Sequence, residues 1–145
     1  MSQLIFVNIP TRDLERSKSF YLALGASINP LFTDENAACI VWSDEVFFMV
    51  MTTEYLQTFT AKPIIDPATS AQTLIAMSRD SREAVDAVAE AALGAGGSEP
   101  KEPADYGFMY QRHIEDPDGN ILEFMWMDAA AAESGPDAFE GERDA

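Results

Sequence analysis

A chain of 145 residues has the size of one domain and buries a core without disulfides or a structural metal. Nine Lys and Arg against 25 Asp and Glu leave a formal charge of −16, which removes the basic footprint needed for nucleic acid and the polybasic hold on an anionic membrane. One cysteine, Cys39, and one histidine, His113, exclude an intrachain disulfide, a cysteine-based zinc site and any centre needing two imidazoles. The chain starts without a basic and apolar leader, and no run approaches the ~20 apolar residues of a membrane span. A cytoplasmic protein is expected.

Residues 4–9, Leu-Ile-Phe-Val-Asn-Ile, read as a largely buried strand. Asp13 is placed to cap a helix in which Leu14, Ser17, Phe20, Tyr21 and Leu24 recur at helical spacing, and Gly25 follows as its terminator. Three strands are expected next, at about 26–32, 37–43 and 46–52, separated by Thr33-Asp34-Glu35-Asn36 and Ser43-Asp44-Glu45. Residues 53–71 form a connector with Pro63 and Pro67, and Tyr55, Leu56 and Phe59 suit a short helical turn.

The opening pattern then returns. Thr73 to Met77 is a strand, Ser78-Arg79-Asp80 echoes Thr11-Arg12-Asp13, and the next helix ends at Leu93-Gly94-Ala95 as the first ended at Leu24-Gly25-Ala26. Asp80, like Asp13, is expected to cap its helix. A loop over 99–106 leads to strands at about 107–115 and 120–127, joined by the turn Asp116-Pro117-Asp118-Gly119-Asn120. The economical architecture is an α+β fold of tandem βαβββ modules, about 3–52 and 72–127, forming one domain over 1–128. The Ala-rich acidic tail, 129–145, has few large apolar residues and is expected to be loose or docked on a partner.

Several side chains carry candidate chemistry. Glu123 stands between Leu122 and Phe124, where partial desolvation suits a ligand-binding carboxylate or a general base; the plain alternative is an ion pair in a wet cleft. Arg112 and His113 are adjacent on one strand and so face opposite ways. Arg112 suits a two-pronged clamp on a carboxylate or phosphate, or a cross-strand pair with Glu115 or the surroundings of Glu123. Phe47, Met49 and Met51 alternate as a soft wall, fitting either core or pocket. Tyr21 and Tyr110 read as core aromatics with hydrogen-bonded tips, Cys39 as an unreactive buried thiol, and the two aspartates of 116–119 as turn residues rather than a calcium loop.

Phe6-Val-Asn-Ile-Pro-Thr-Arg-Asp-Leu-Glu-Arg-Ser-Lys-Ser-Phe-Tyr21 and the closing Asp116-Pro-Asp-Gly-Asn-Ile-Leu-Glu-Phe124, in a duplicated module, resemble the vicinal oxygen chelate superfamily. This is the group of glyoxalase I, bleomycin resistance proteins and extradiol dioxygenases. The stretch Phe32–Ala38 and the ending Phe124–Asp128 look like its uncharacterised bacterial glyoxalase-like branch. The resemblance spans 4–127 and implies curled sheets forming a cup, usually completed in a homodimer. It also implies four metal-ligand positions, which fall here on Phe6, Met49 or Met51, Leu74 and Glu123. Only Glu123 is a competent ligand for a hard divalent cation. No cofactor is therefore expected; a divalent metal held by a site rebuilt from Asn8, His113 and Glu123 is the alternative.

The expected ligand pocket comprises Phe6, Asn8, Met49, Met51, Leu74, Arg112, His113 and Glu123, with Glu123 the one candidate catalytic base. The preferred reading is metal-independent binding of a small molecule, of the resistance type that sequesters cationic compounds; the acidic balance of the chain favours such ligands. The alternatives are a metal-dependent glyoxalase-like lyase or dioxygenase, and a metal-free isomerase using Glu123.

Overall fold

The computed structural model describes residues 2–138. The first module runs β1 (Ile5–Thr11), α1 (Leu14–Ala23), β2 (Ser27–Asn29), β3 (Ala37–Val41) and β4 (Val46–Thr52). A linker containing α2 (Thr53–Leu56) leads to β5 (Leu74–Ser78), α3 (Arg82–Gly94), β6 (Ala104–Asp105), β7 (Met109–Glu115) and β8 (Ile121–Met127). The strand orders are β1-β4-β3-β2 and β5-β8-β7-β6. In each sheet the first strand of the module lies parallel to its last, and the remaining pairs are antiparallel. The duplication read from short strings is thus a duplication of topology.

Local chemistry explains the boundaries. Asp13 caps α1 by accepting from the Arg16 amide at 3.1 Å, and Gly25, at φ +99°, supplies the left-handed residue that ends it. The cap of α3 is Ser81, whose hydroxyl accepts from the Ala84 amide at 3.0 Å, so Asp80 does not fill the role expected of it. The strand expected over 26–32 stops at Asn29 because Pro30 opens a 3-10 turn over Pro30–Phe32. Within the expected loop 99–106, the two-residue strand β6 completes the second module; Pro100 and Pro103 keep it short. Part of the expected loose tail is helical. Asp128 caps α4 (Ala129–Ser134), and Ala131 is buried. Residues 139–145 of that tail lie outside the described residues.

The core decides how the modules meet. Phe20 and Tyr21 of α1, Val85 and Val88 of α3, Phe48 and Val50 of β4, and Leu122 and Phe124 of β8 belong to one buried cluster. Trp42, just past the end of β3, meets Phe124 of β8 edge-on at 6.1 Å, and the Arg79 guanidinium lies over both rings. Both sheets therefore turn their helix-covered faces toward a shared core, and their opposite faces point away from it. A polar clamp joins the modules as well. The buried Asp118 carboxylate accepts from the Thr11 hydroxyl at 2.6 Å, the Arg12 amide at 2.9 Å and the Arg16 guanidinium at 2.8 Å. The turn residues 116–120 thus do more than reverse the chain. No helix among the described residues is long and apolar enough to cross a membrane.

Candidate functional site on the outer sheet faces

Strand alternation sorts the side chains. With Ile9, Ile40, Phe48 and Val50 in the core, the outer face of the first sheet carries Phe6 and Asn8 from β1, Phe47, Met49 and Met51 from β4, and Cys39 from β3. Asn8 lies opposite Met49, and Met49 opposite Cys39. Phe6 and Phe47 are paired in register and stack with centroids 4.8 Å apart and planes 12° from parallel. Phe6 nevertheless remains 52% exposed. Beside them, Met49, Met51, Leu31, Phe32, Tyr55 and Phe59 line an open hollow of about 460 Å³. Burial raises the Cys39 thiol pKa above its ordinary value, which keeps it protonated and unreactive.

The second sheet repeats the arrangement with different chemistry. With Ile114, Leu122 and Phe124 in the core, its outer face carries Leu74, Ile121, Met125, Gln111, His113 and Glu123. Glu123 sits between Ala76 on one neighbouring strand and His113 on the other. The Gln111 side-chain amide donates to its carboxylate at 3.2 Å. Gln111 escaped the sequence reading, although its place two residues before His113 puts both on one face. Leu74 is 52% exposed, so this face, like the first, presents apolar surface to the outside.

The expected pocket residues are therefore divided. Phe6, Asn8, Met49 and Met51 lie on one outer face, and Leu74, His113 and Glu123 on the other. No group of three His, Cys, Asp or Glu side chains that could hold a metal is found among the described residues. Arg112 belongs to neither face. Its buried side chain points to the core side of β7, where it makes a two-pronged pair with Glu99 at 2.8 and 2.9 Å and reaches Glu90 at 3.0 Å and Asp86 at 3.2 Å. Hydrogen bonding to Glu99, more than to the other two, raises its pKa. Its partners are thus not Glu115 or the surroundings of Glu123. The Tyr110 hydroxyl joins this group by donating to Asp86 at 2.6 Å, and burial is the main cause that pushes its pKa up to about 12.

The metal implied by the resemblance can be tested against the donors present. Phenylalanine and leucine offer no lone pair, methionine only a soft thioether, and Glu123 a single carboxylate. Phe6 is stacked on Phe47, and Leu74 lies opposite Ile121. This donor set does not fit a hard divalent cation.

Two four-stranded sheets built by successive βαβββ modules match the glyoxalase, bleomycin-resistance and dioxygenase fold of solved structures. Residues 3–43 match the family described as bleomycin resistance protein-like N-terminal, whereas no curated protein matches. Among solved structures, a glyoxalase/bleomycin resistance protein from Albidiferax ferrireducens is similar at 25% identity and TM-score 0.62, over 83% of this chain and 95% of its own. A glyoxalase/bleomycin resistance protein/dioxygenase family enzyme from Burkholderia phytofirmans shares the fold at 22% identity and TM-score 0.71, over 87% of this chain and 99% of its own. A bleomycin resistance determinant encoded on the transposon Tn5 does so at 19% identity and TM-score 0.57, over 87% and 98%. The match over residues 3–43 and the fold shared with these solved structures make the chain similar to the vicinal oxygen chelate superfamily.

Proposed function

We propose that this protein binds a cationic, partly aromatic small molecule without a metal, in the manner of a resistance protein that sequesters its ligand. The observation that carries the reading is the stacked Phe6–Phe47 pair, left half-exposed at Phe6 on an open sheet face. An aromatic platform of this kind offers area to a flat ligand at little entropic cost. Glu123, held by Gln111, supplies the counter-charge on the second sheet. Because the two faces point away from each other in one chain, the reading includes a homodimer in which the first sheet of one protomer faces the second sheet of its partner. Half-exposed Phe6, Leu4 and Leu74 are the apolar surface such an assembly would cover.

Bleomycin, named in the descriptions of relatives, is the probe. Titration calorimetry is expected to give saturable binding, weakened about tenfold by Phe6→Ala, as loss of a stacked aromatic contact implies. Unchanged affinity in Phe6→Ala, or one tightly held divalent metal per chain in the purified protein, would overturn the reading.

A further inference from the structure

A cavity of about 350 Å³ lies at the free edge of β1, between that edge, the start of β8 and the linker that joins the modules. It touches the outer faces only through Asn8 and Ile121, does not include Phe6, Phe47 or Glu123, and has a volume in the range of small-molecule sites. Val7, Ile65 and Ile121 contribute apolar wall; Asn8, Lys62 and Gln72 are among its polar lining. In a chain of net charge −16, none of the residues lining this cavity is acidic and one, Lys62, is cationic. The side-chain ends of Lys62, Asn8 and Gln72 make no hydrogen bond or ion pair among the described residues.

The linker over this cavity is built rather than slack. The Gln57 side-chain amide donates to the carbonyls of Thr60 and Lys62, both at 2.9 Å, and accepts from the Ile64 amide at 3.1 Å. That one side chain fixes the backbone carrying Lys62. Further along, Arg12 pairs with Asp66 at 3.8 Å. Gly119, at φ +106°, allows the Pro67 carbonyl to approach so closely that a Cβ there would collide with it. From Thr60 to Thr73 the chain has neither helix nor strand, yet it is anchored at several points. An irregular segment of that length in a compact domain is uncommon and usually has a function.

We infer that this linker cavity is a second ligand site, which takes an amphipathic monocarboxylate with its head at Lys62 and its apolar body along Val7, Ile65 and Ile121. One ammonium with neutral amide donors matches a singly charged head, and the lack of carboxylates in the wall removes local repulsion of an anion. The charge preference is opposite to that of the outer faces, so one molecule would not serve both sites.

Octanoate is the probe, with octylammonium as its cationic counterpart. Titration of the full chain, followed by amide resonances, is expected to show one saturable octanoate per chain with shifts at Asn8, Gln72 and Asn120. Lys62→Glu is expected to weaken it by about tenfold or more, as loss of a charge-assisted hydrogen bond implies. Lys62→Arg should retain binding. Neither substitution removes a side-chain hydrogen bond or ion pair made among the described residues, and a normal circular dichroism melt checks folding. Octanoate binding unchanged in Lys62→Glu, no saturation, equal binding of octylammonium, or shifts centred on Phe6 and Glu123 would each overturn the inference. Bleomycin binding by Lys62→Glu is expected to match the unsubstituted chain, so the two sites fail or stand separately.

Discussion

At the scale of single residues, the turn Asp116–Asn120 shows how much can depend on two carboxylates. Oδ1 of Asp116 accepts from the amides of Asp118, Gly119 and Asn120 at 3.0, 3.0 and 2.9 Å. Its Oδ2 accepts from the Tyr21 hydroxyl at 2.8 Å and the Asn120 side chain at 2.9 Å. Even so, burial raises the Asp116 pKa above the usual carboxyl value, and the neighbouring Asp118 charge adds to it, against the lowering by those hydrogen bonds. The sign of the pH effect follows. Between the unfolded and folded pKa values the folded chain holds the proton that the unfolded chain has released, so rising pH works against folding. The stability of Asp116→Asn relative to the unsubstituted chain is therefore expected to improve as pH rises from about 4, the unfolded carboxyl pKa, through the raised value, and then level off. Urea midpoints measured across that range check this. A flat difference, or one of the opposite sign, would show that the hydrogen bonds outweigh the burial.

At the scale of elements, Arg112 ties β7 to α3 through Asp86 and Glu90 and to the segment after α3 through Glu99. Its side chain is 8% exposed, whereas Asp86 and Glu90 are 50% and 67% exposed and Glu99 is 16% exposed. Water screens the first two pairs, leaving the two-pronged bond to Glu99 as the main contribution. Arg112→Ala is expected to cost about 2 kcal/mol in urea unfolding, within the range for removing one partner of a partly buried pair. Arg112→Lys should recover part of it, since lysine cannot reproduce the fork. Bleomycin affinity of Arg112→Lys should stay unchanged, because Arg112 lies on the core side of its strand; a clear loss would return it to the ligand site. The same residue shows where sequence reading stops. Alternation places Arg112 and His113 on opposite faces, but which face is inner depends on the partner element, and no spacing rule couples β7 to Asp86 and Glu90 of α3. The caps divide similarly: Asp13 was legible because a clear apolar period follows it, whereas the Ser81 cap was obscured by Asp80 immediately before it. The repeat itself was legible because the same short strings mark the same element boundaries in both modules, Thr11-Arg12-Asp13 recurring as Ser78-Arg79-Asp80 and Leu24-Gly25-Ala26 as Leu93-Gly94-Ala95.

At the scale of the molecule, the helix-to-helix packing of the modules governs any functional assembly, and it was not legible from sequence. The residues that decide it, Trp42, Arg79 and Phe124, are far apart in the chain and have no motif. If the ligand lies between the first sheet of one protomer and the second sheet of the other, two defective chains should complement each other. Phe6→Asp damages the first sheet's face and Glu123→Gln the second's. In a mixed dimer one cup then holds both lesions and the other holds neither. After random exchange about one site in four is expected to be intact and to bind bleomycin at the unsubstituted affinity, although neither variant binds alone. Titration of the mixture after dissociation and reassociation measures that fraction, with light scattering confirming a dimer. A cup closed within one chain gives no recovery at any mixing ratio, because each chain carries its own lesion. A site confined to one face leaves one of the two variants competent by itself, so the three arrangements are distinguished by a single set of titrations.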